Sequence, residues 1–280
     1  MLKLIRTDRP WNQYRFPPEL IAWRDAVIAE GGARPSMREM VRRNRLIHNH
    51  MLSGAWALTD DILMSGEDEV QSLVSLKRRF LCIRYNSPLW AIETGFVLDG
   101  YASYIEWPFI PATHAVAMTT TNQRAAVWNL ANVGTNGFAL GATSNVTTGT
   151  PAAGLGIRPL QSGSMRINFG SATVNFTLSD ATAVGFSVGS RTTNTAIRGY
   201  KDGVRFADVT GQTIIEGLAS RPLFVGGRNH VDDLLSLPTN CVIPYAAIGA
   251  QLTDAQERAT YEGVRDAVAL MFYGDDEEEE

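Results

Sequence analysis

Residues 196–208 constrain the fold of this 280-residue chain more than any other stretch. They read Ala196-Ile197-Arg198-Gly199-Tyr200-Lys201-Asp202-Gly203-Val204-Arg205-Phe206-Ala207-Asp208. An Asp-Gly pair between alternating runs signals a two-residue hairpin, because a type I′ turn needs positive φ at both central residues. That loop sets Lys201 against Val204, Tyr200 against Arg205 and Gly199 against Phe206. Ile197, Val204 and Phe206 then share an inward face, with Gly199 leaving room for the Phe206 ring, while Arg198, Tyr200 and Arg205 form a wet face.

The rest of the chain agrees with an antiparallel protein. Between Trp107 and Ser190 the formal charges are Arg124, Arg158, Arg166 and Asp180, four in 84 residues. The chain's 19% charged content would give about 16 there. The stretch is instead rich in Thr, Asn, Ser, Gly and Ala, with strand candidates at 113–120, 124–132, 155–159, 164–169, 172–178 and 183–190. Many short strands joined by Gly and Asn turns describe a β-sandwich. Further strands are expected at 80–85, 222–226 and 241–250.

Helices are expected at the two ends. Pro18 opens one over 19–30, with Leu20, Trp23, Val27 and Ile28 as its apolar stripe. Ser36-Met37-Arg38-Glu39 has the capping-box pattern and starts a second, striped by Met37, Met40, Val41, Ile47 and Met51. A short helix is read at 70–79. The last covers 254–272, with Thr253 as N-cap, Gln256 three residues on, and Tyr261, Val264, Val268 and Met271 inward. Ion pairs Asp254–Arg258 and Glu262–Arg265 are expected along its wet face.

Several of these segments together resemble a known family. The order Lys201-Asp202-Gly203 hairpin, Leu223-Phe224-Val225-Gly226-Gly227, Ile248-Gly249 and Leu252-Thr253-Asp254-Ala255-Gln256 resembles the concanavalin A-like (laminin G-type) jelly rolls. The versions in bacteriophage and prophage virion proteins look closest. Gly54-Ala55-Trp56 followed by Asp60, and Asp99-Gly100-Tyr101-Ala102-Ser103-Tyr104-Ile105, are similar to segments that precede and open the jelly roll there. The resemblance implies a mainly β, antiparallel two-sheet jelly roll with a small helical N-terminal region and a C-terminal helix. It divides the chain into a helical attachment and oligomerisation region at 1–78, a jelly roll with its helix at 79–274, and an acidic tail at 275–280.

Net charge is −4, but the tail Asp275-Asp276-Glu277-Glu278-Glu279-Glu280 carries −6, leaving residues 1–274 at +2. A near-neutral body gives no electrostatic case for nucleic acid or a membrane surface. Arg38, Arg42, Arg43 and Arg45 are interrupted by Glu39 and read as a solvated or subunit-contacting face. The start of the chain turns charged too early for an apolar signal-peptide core, and no membrane-spanning run is present. Cys82 and Cys241 are expected as reduced core thiols.

The residues that could build a catalytic or metal constellation do not assemble into one. Gly185-Phe186-Ser187-Val188-Gly189 matches the nucleophile-elbow spacing, but its flanks alternate like a strand, so Ser187 reads as a wet-face strand serine. His48 and His50 lie two apart on a helix and cannot chelate one ion; His114 and His230 stand alone, and no structural metal is expected. Glycanases of this fold carry a Glu-x-Asp-x-x-Glu strand, which is missing; Glu67-Asp68-Glu69 follows a turn and Glu106 has no facing carboxylate. Asp202, Asp208, Asp232 and Asp233 are calcium candidates by residue type alone. Asn145 and Asn175 begin sequons that read as turn and strand residues. For sugars, Trp107, Trp128, Tyr101, Tyr200, Asn132, Asn194 and Asn229 supply aromatic faces and planar amides, with core and turn roles as the competing reading.

These observations lead to a non-enzymatic phage virion structural protein, a tail-fibre, tail-associated or capsid-decorating component displaying a jelly-roll adhesion module. A free carbohydrate-binding module is the alternative, and a glycoside hydrolase the least favoured. No cofactor is expected. The expected partners are copies of the same chain (a trimer first), other virion proteins and a host-surface glycan. The expected location is the virion, after synthesis in a host cytoplasm.

Overall fold

The computed structural model describes residues 15–272 except 93, 132–136, 145–153, 162–163, 171, 178–181, 212–216, 231–234 and 237. Helices α1 (Pro18–Ala29), α2 (Met37–Leu52) and the single-turn α3 (Ala55–Leu58) run into strand β1 (Thr59–Met64). After α4 (Glu69–Leu73) come β2 (Ile83–Tyr85), β3 (Leu89–Ala91), β4 (Gly95–Val97) and β5 (Tyr104–Trp107). Another helical turn, α5 (Pro111–His114), precedes β6 (Gln123–Asn129), β7 (Leu140–Thr143), β8 (Gly154–Gln161), β9 (Ser164–Phe169), β10 (Ala172–Thr177) and β11 (Gly185–Arg191). The hairpin β12 (Ile197–Lys201) and β13 (Val204–Val209) leads to β14 (Leu223–Val225), β15 (Arg228–Asn229), β16 (Leu235–Ser236) and β17 (Tyr245–Gly249). Helix α6 (Asp254–Phe272) follows.

Two sheets stack face to face. One has the order β1-β17-β6-β11-β12-β13; the other runs β10-β9-β8-β7-β14-β5-β2, with β15 and β16 branching from β7. Among the described strands pairing is antiparallel, except where Asn229 of β15 meets Ala142 of β7. The main core lies between the sheets, with Ala125, Val127, Ala246 and Ile248 from one against Ile105, Leu140, Ile157 and Ile167 from the other. The protein is mainly β, an antiparallel two-sheet sandwich of jelly-roll type with few helices, one of them C-terminal, as the residue pattern leads one to expect.

A second core covers the far side of the six-stranded sheet. Leu20 and Trp23 of α1, Met40 and Ile47 of α2, and Val264 and Val268 of α6 pack on Ile62, Val188, Tyr245 and Ala247. Strand β17 shows why: Tyr245 and Ala247 face the helices while Ala246 and Ile248 face the other sheet, so all five of its residues are buried. A strand covered on both faces loses the alternation of a half-wet strand. Helix α1 is too short to stand alone. Burying Leu20 and Val27 completely contributes about 1.5–3 kcal/mol each.

This helical layer revises several expectations. Strand β1 lies within the segment assigned to the helical region 1–78, yet it is the edge strand paired with β17. The surface that the α1 and α2 stripes bury against is the chain's own sheet, although Ile28 and Met51 stay exposed. Tyr200, expected on a wet face, is fully buried under α6, its hydroxyl 3.0 Å from Asp254 Oδ1. Val204, expected inward, is exposed. The hairpin turn has φ of 48° at Asp202 and 75° at Gly203, as a type I′ turn requires. A bulge at Gly199/Tyr200 then pairs Gly199 with Ala207, not Phe206. Bulges concentrate at sheet edges, and β13 is the edge. Gly199 still lies beside the Phe206 ring.

Of the four arginines on α2, Arg42 and Arg43 are not on a solvated face, while Arg38 and Arg45 are half-buried. Arg42 and Arg43 are buried around Glu39, with Arg42 Nε 2.7 Å and Arg43 Nε 2.5 Å from its carboxylate, and both donate to backbone carbonyls, Met64 and Ser65 among them. Burial alone would raise the Glu39 carboxyl; the two guanidinium groups hold it below its ordinary value. Arg38 reaches the Leu270 carbonyl. In place of a strand at 113–120 there is α5 and a loop whose N–H groups at Val116, Ala117 and Met118 donate to buried Asp60. Along α6 the ion pairs are Arg258–Glu262 and Arg265–Asp266. Phe16 packs against the second core, whereas residues 1–14, the Met271 side chain and the acidic tail lie outside what is described.

Candidate functional site: an aromatic and guanidinium belt on the nine-stranded sheet

The face of the nine-stranded sheet that points away from the core is built by alternation. In β5, Ile105 and Trp107 face the core, which leaves Tyr104 and Glu106 outside. In β9, Met165, Ile167 and Phe169 face in, and Ser164, Arg166 and Asn168 face out. Registers then assemble a row across the strands: Ile83 opposite Glu106, Glu106 opposite Phe224, Phe224 opposite Gly141, Gly141 opposite Gly156, and Gly156 opposite Asn168.

Aromatic rings occupy one end. Tyr85 and Tyr104, directly paired across β2 and β5, stack with centroids 4.7 Å apart and planes within 5°. Tyr104 continues onto Phe224 at 4.2 Å and 29°. Tyr85 is 36% exposed at the sheet edge, whereas Phe224 is buried. The ladder therefore has an accessible end and a buried one.

Guanidinium groups occupy the other end. Gly141 and Gly156 leave a trough in the middle of the row. The Arg228 side chain fills it over Gly141, within 3.0 Å of where a Cβ would stand, and the Phe138 ring fills it over Gly156. The Arg158 guanidinium lies 4.1 Å from the Phe138 centroid and that of Arg228 4.8 Å, both cation–π distances. Arg158 pairs directly with Arg166 across β8 and β9. Burial, with Arg166 and Arg228 beside it, pushes Arg158 down to about 10, and burial with Arg166 lowers Arg228. Phe138 and Phe224 are both buried, on the face of this sheet that points away from the main core.

Most residues singled out from the sequence lie elsewhere. Trp107 is buried between the sheets with Nε1 3.1 Å from Asp61 Oδ2. Trp128 stacks on Tyr261 of α6 at 5.8 Å. Asn229 is buried, Tyr101 and Asn194 are exposed, and Asn132 lies outside the described residues. These aromatics and amides do not converge. Asp202 is explained by the hairpin, its Oδ1 accepting from Phe186 N–H at 2.7 Å, and Asp208 pairs with Arg198 and Arg205. Asp232 and Asp233 lie outside the described residues, as do Asn145 and the Asn175 side chain.

Ser187 is in a strand, as its flanks implied, but it is buried, because helices cover one face of β11 and the second sheet covers the other. Asp68 caps α4, Glu67 accepts from Ser36, and Glu69 pairs with Arg84, so that acidic triplet is structural. His48 is exposed while His50 is buried, pointing apart as expected. His114 accepts from the Ile110 N–H, and burial together with Arg228 and Arg221 lowers His230. Cys82 and Cys241 are free, buried thiols that burial pushes up.

The belt residues form no named constellation, so the sequence does not single them out as a set. The signal was present in β9, where alternation places Arg166 outward, and in Arg158, one of three cations in an 84-residue stretch.

No family model matches the chain, and no curated protein matches it. Among solved structures, the binding domain of botulinum neurotoxin serotype D superposes with a TM-score of 0.51 at 13% identity, over 74% of this chain and 51% of that one. The receptor binding domain of the botulinum neurotoxin C/D mosaic serotype gives 0.51 at 10%, again over 74% and 51%. This chain thus spans about half the length of those two. Domain 4 of a GH43 extracellular arabinanase from Geobacillus stearothermophilus, in complex with arabinotriose, gives 0.47 at 13%, over 72% of this chain and 98% of that one. At these identities the likeness is one of fold, a β-sandwich.

Proposed function

We propose that the protein is a non-catalytic glycan-binding adhesion module, carried as a homo-oligomer on a phage-type virion. The observation that carries this reading is the Tyr85–Tyr104–Phe224 ladder, accessible at the edge of the sheet face that the helical layer leaves alone. Sugar rings present apolar C–H faces that stack on aromatic planes such as that of Tyr85. Glu106 is the carboxylate that alternation places on this face among the described residues, and a retaining or inverting glycosidase needs two across one cleft. Oligomerisation rests, like the virion assignment, on the resemblance to phage virion proteins. Carriage on a virion rests on the jelly-roll motifs described above.

The test is a glycan array with the full chain beside Tyr85→Ala. Tyr85 sits on an edge strand, so its truncation spares the core. A bound glycan whose affinity drops tenfold or more in the variant, about 1.4 kcal/mol, is the expected result. Absence of any bound glycan, or equal binding by both proteins, overturns the reading. Chromatography of the bound glycans after long incubation should return them intact; released sugar would overturn the non-catalytic part. Immunogold labelling of purified phage particles tests carriage, and unlabelled particles would overturn it.

A further inference from the structure

We infer that one internal water molecule is bound where the chain crosses between the two sheets, held by Asn129, Thr239 and Cys241. This site is separate from the glycan platform and does not depend on it. In β6, Ala125 and Val127 face the main core, and alternation carries Asn129 into the same space. Asn129 is 2% exposed, and its Oδ1 meets no hydrogen-bond donor among the described residues. An amide oxygen buried between two sheets needs a donor, because nothing else offsets its lost hydration.

There is room for one. Asn129, Thr239 and Cys241 line a cavity of about 10 Å³, walled otherwise by apolar groups such as Ala139, Leu160 and Ala183. That is the space one water molecule needs, and too little for a larger ligand. The polar groups also match it in donors and acceptors. The Thr239 hydroxyl already bonds to the Cys241 thiol. With its proton given to sulfur, the hydroxyl keeps oxygen lone pairs to offer, and the S–H proton remains to be placed. A water here donates to Asn129 Oδ1 and Thr239 Oγ1 and accepts from the thiol, about three hydrogen bonds, the usual number for a buried water. The backbone shows what such a water joins. The Thr239 N–H donates to the Gly226 carbonyl just after β14 at 3.0 Å, and the Val242 carbonyl accepts from the Leu130 N–H just after β6 at 2.9 Å. Residues 239–242 thus pass from the nine-stranded sheet to the six-stranded one, and the water adds a polar bridge to β6 across that passage.

The experiment uses the full chain and needs no mutation at its first step. A high-resolution crystal structure should show a water oxygen within about 2.6–3.2 Å of Asn129 Oδ1 and in reach of Thr239 Oγ1 and Cys241 Sγ. A cavity without density, Asn129 Oδ1 bonded to a protein donor, or a peak coordinated as a metal ion would each overturn the assignment. Magnetic relaxation dispersion of water oxygen then counts the long-lived waters in solution. Asn129→Leu keeps the side-chain volume and removes the amide, so the count should fall by one while thermal unfolding stays within a few degrees. An unchanged count in the folded variant overturns the site. Should Asn129→Leu fail to fold, the density of the unmutated chain decides by itself.

Discussion

Single residues hold this fold through backbone geometry and buried charge. Gly203 has φ of +75°, and a Cβ there would stand 2.8 Å from the Tyr261 Cβ of α6. Gly203→Ala therefore combines positive-φ strain with a clash and should cost about 1–3 kcal/mol in urea denaturation. An unchanged midpoint would contradict the type I′ turn. His50 is the second case, with Nδ1 2.9 Å from the Leu46 carbonyl. Burial first, then Arg124 and Lys77, push its ring down to about 4 against the Leu46 bond. Between the ordinary 6.5 and about 4 the unfolded chain binds a proton that the fold refuses. Stability must then fall as pH drops through that window and level off below it, by at most about 3 kcal/mol. Replacing the ring by His50→Gln should remove that part of the acid sensitivity. Urea midpoints at pH 7 and 4.5 for both proteins check this, and equal losses would exclude His50 as the cause.

At the scale of elements, α6 is tied to the middle of the six-stranded sheet by Arg124 of β6 and Glu257, two hydrogen bonds of 2.7 and 2.8 Å with both side chains buried. Glu257→Ala leaves a guanidinium buried without its carboxylate and should cost about 3–5 kcal/mol, read as a lowered urea midpoint. A cost under about 1 kcal/mol would show that α6 is held by Val264 and Val268 alone. This helix was legible from sequence, since Thr253 and Gln256 make the reciprocal capping bonds expected of them. The Asp202-Gly203 turn was legible for the same reason: local chemistry decides it. What covers an element was not legible, because that depends on distant segments. Tyr200 and Arg205 alternate like a wet face, and only the return of α6 shows that Tyr200 is roofed. Strand β1 was hidden because Asp60 and Asp61 look like surface residues, whereas both are buried as acceptors for loop N–H groups and for Trp107. Strand β7 is four residues with a glycine and no β-branched residue before Thr143, too short to announce itself.

The described residues form three layers: helices, a six-stranded sheet whose middle strands are buried on both faces, and a nine-stranded sheet whose outer face carries the belt. That asymmetry decides where recognition can occur. One sheet gives its outer face to α1, α2 and α6, and the other gives it to Tyr85, Tyr104, Arg158, Arg166 and Arg228. The most direct measurement is hydrogen–deuterium exchange of the full chain with and without the strongest glycan on the array. Protection is predicted at 83–85, 104–107 and 223–229, with 37–52 and 254–270 unchanged. Protection confined to the helical layer or to the β12–β13 hairpin would contradict the account.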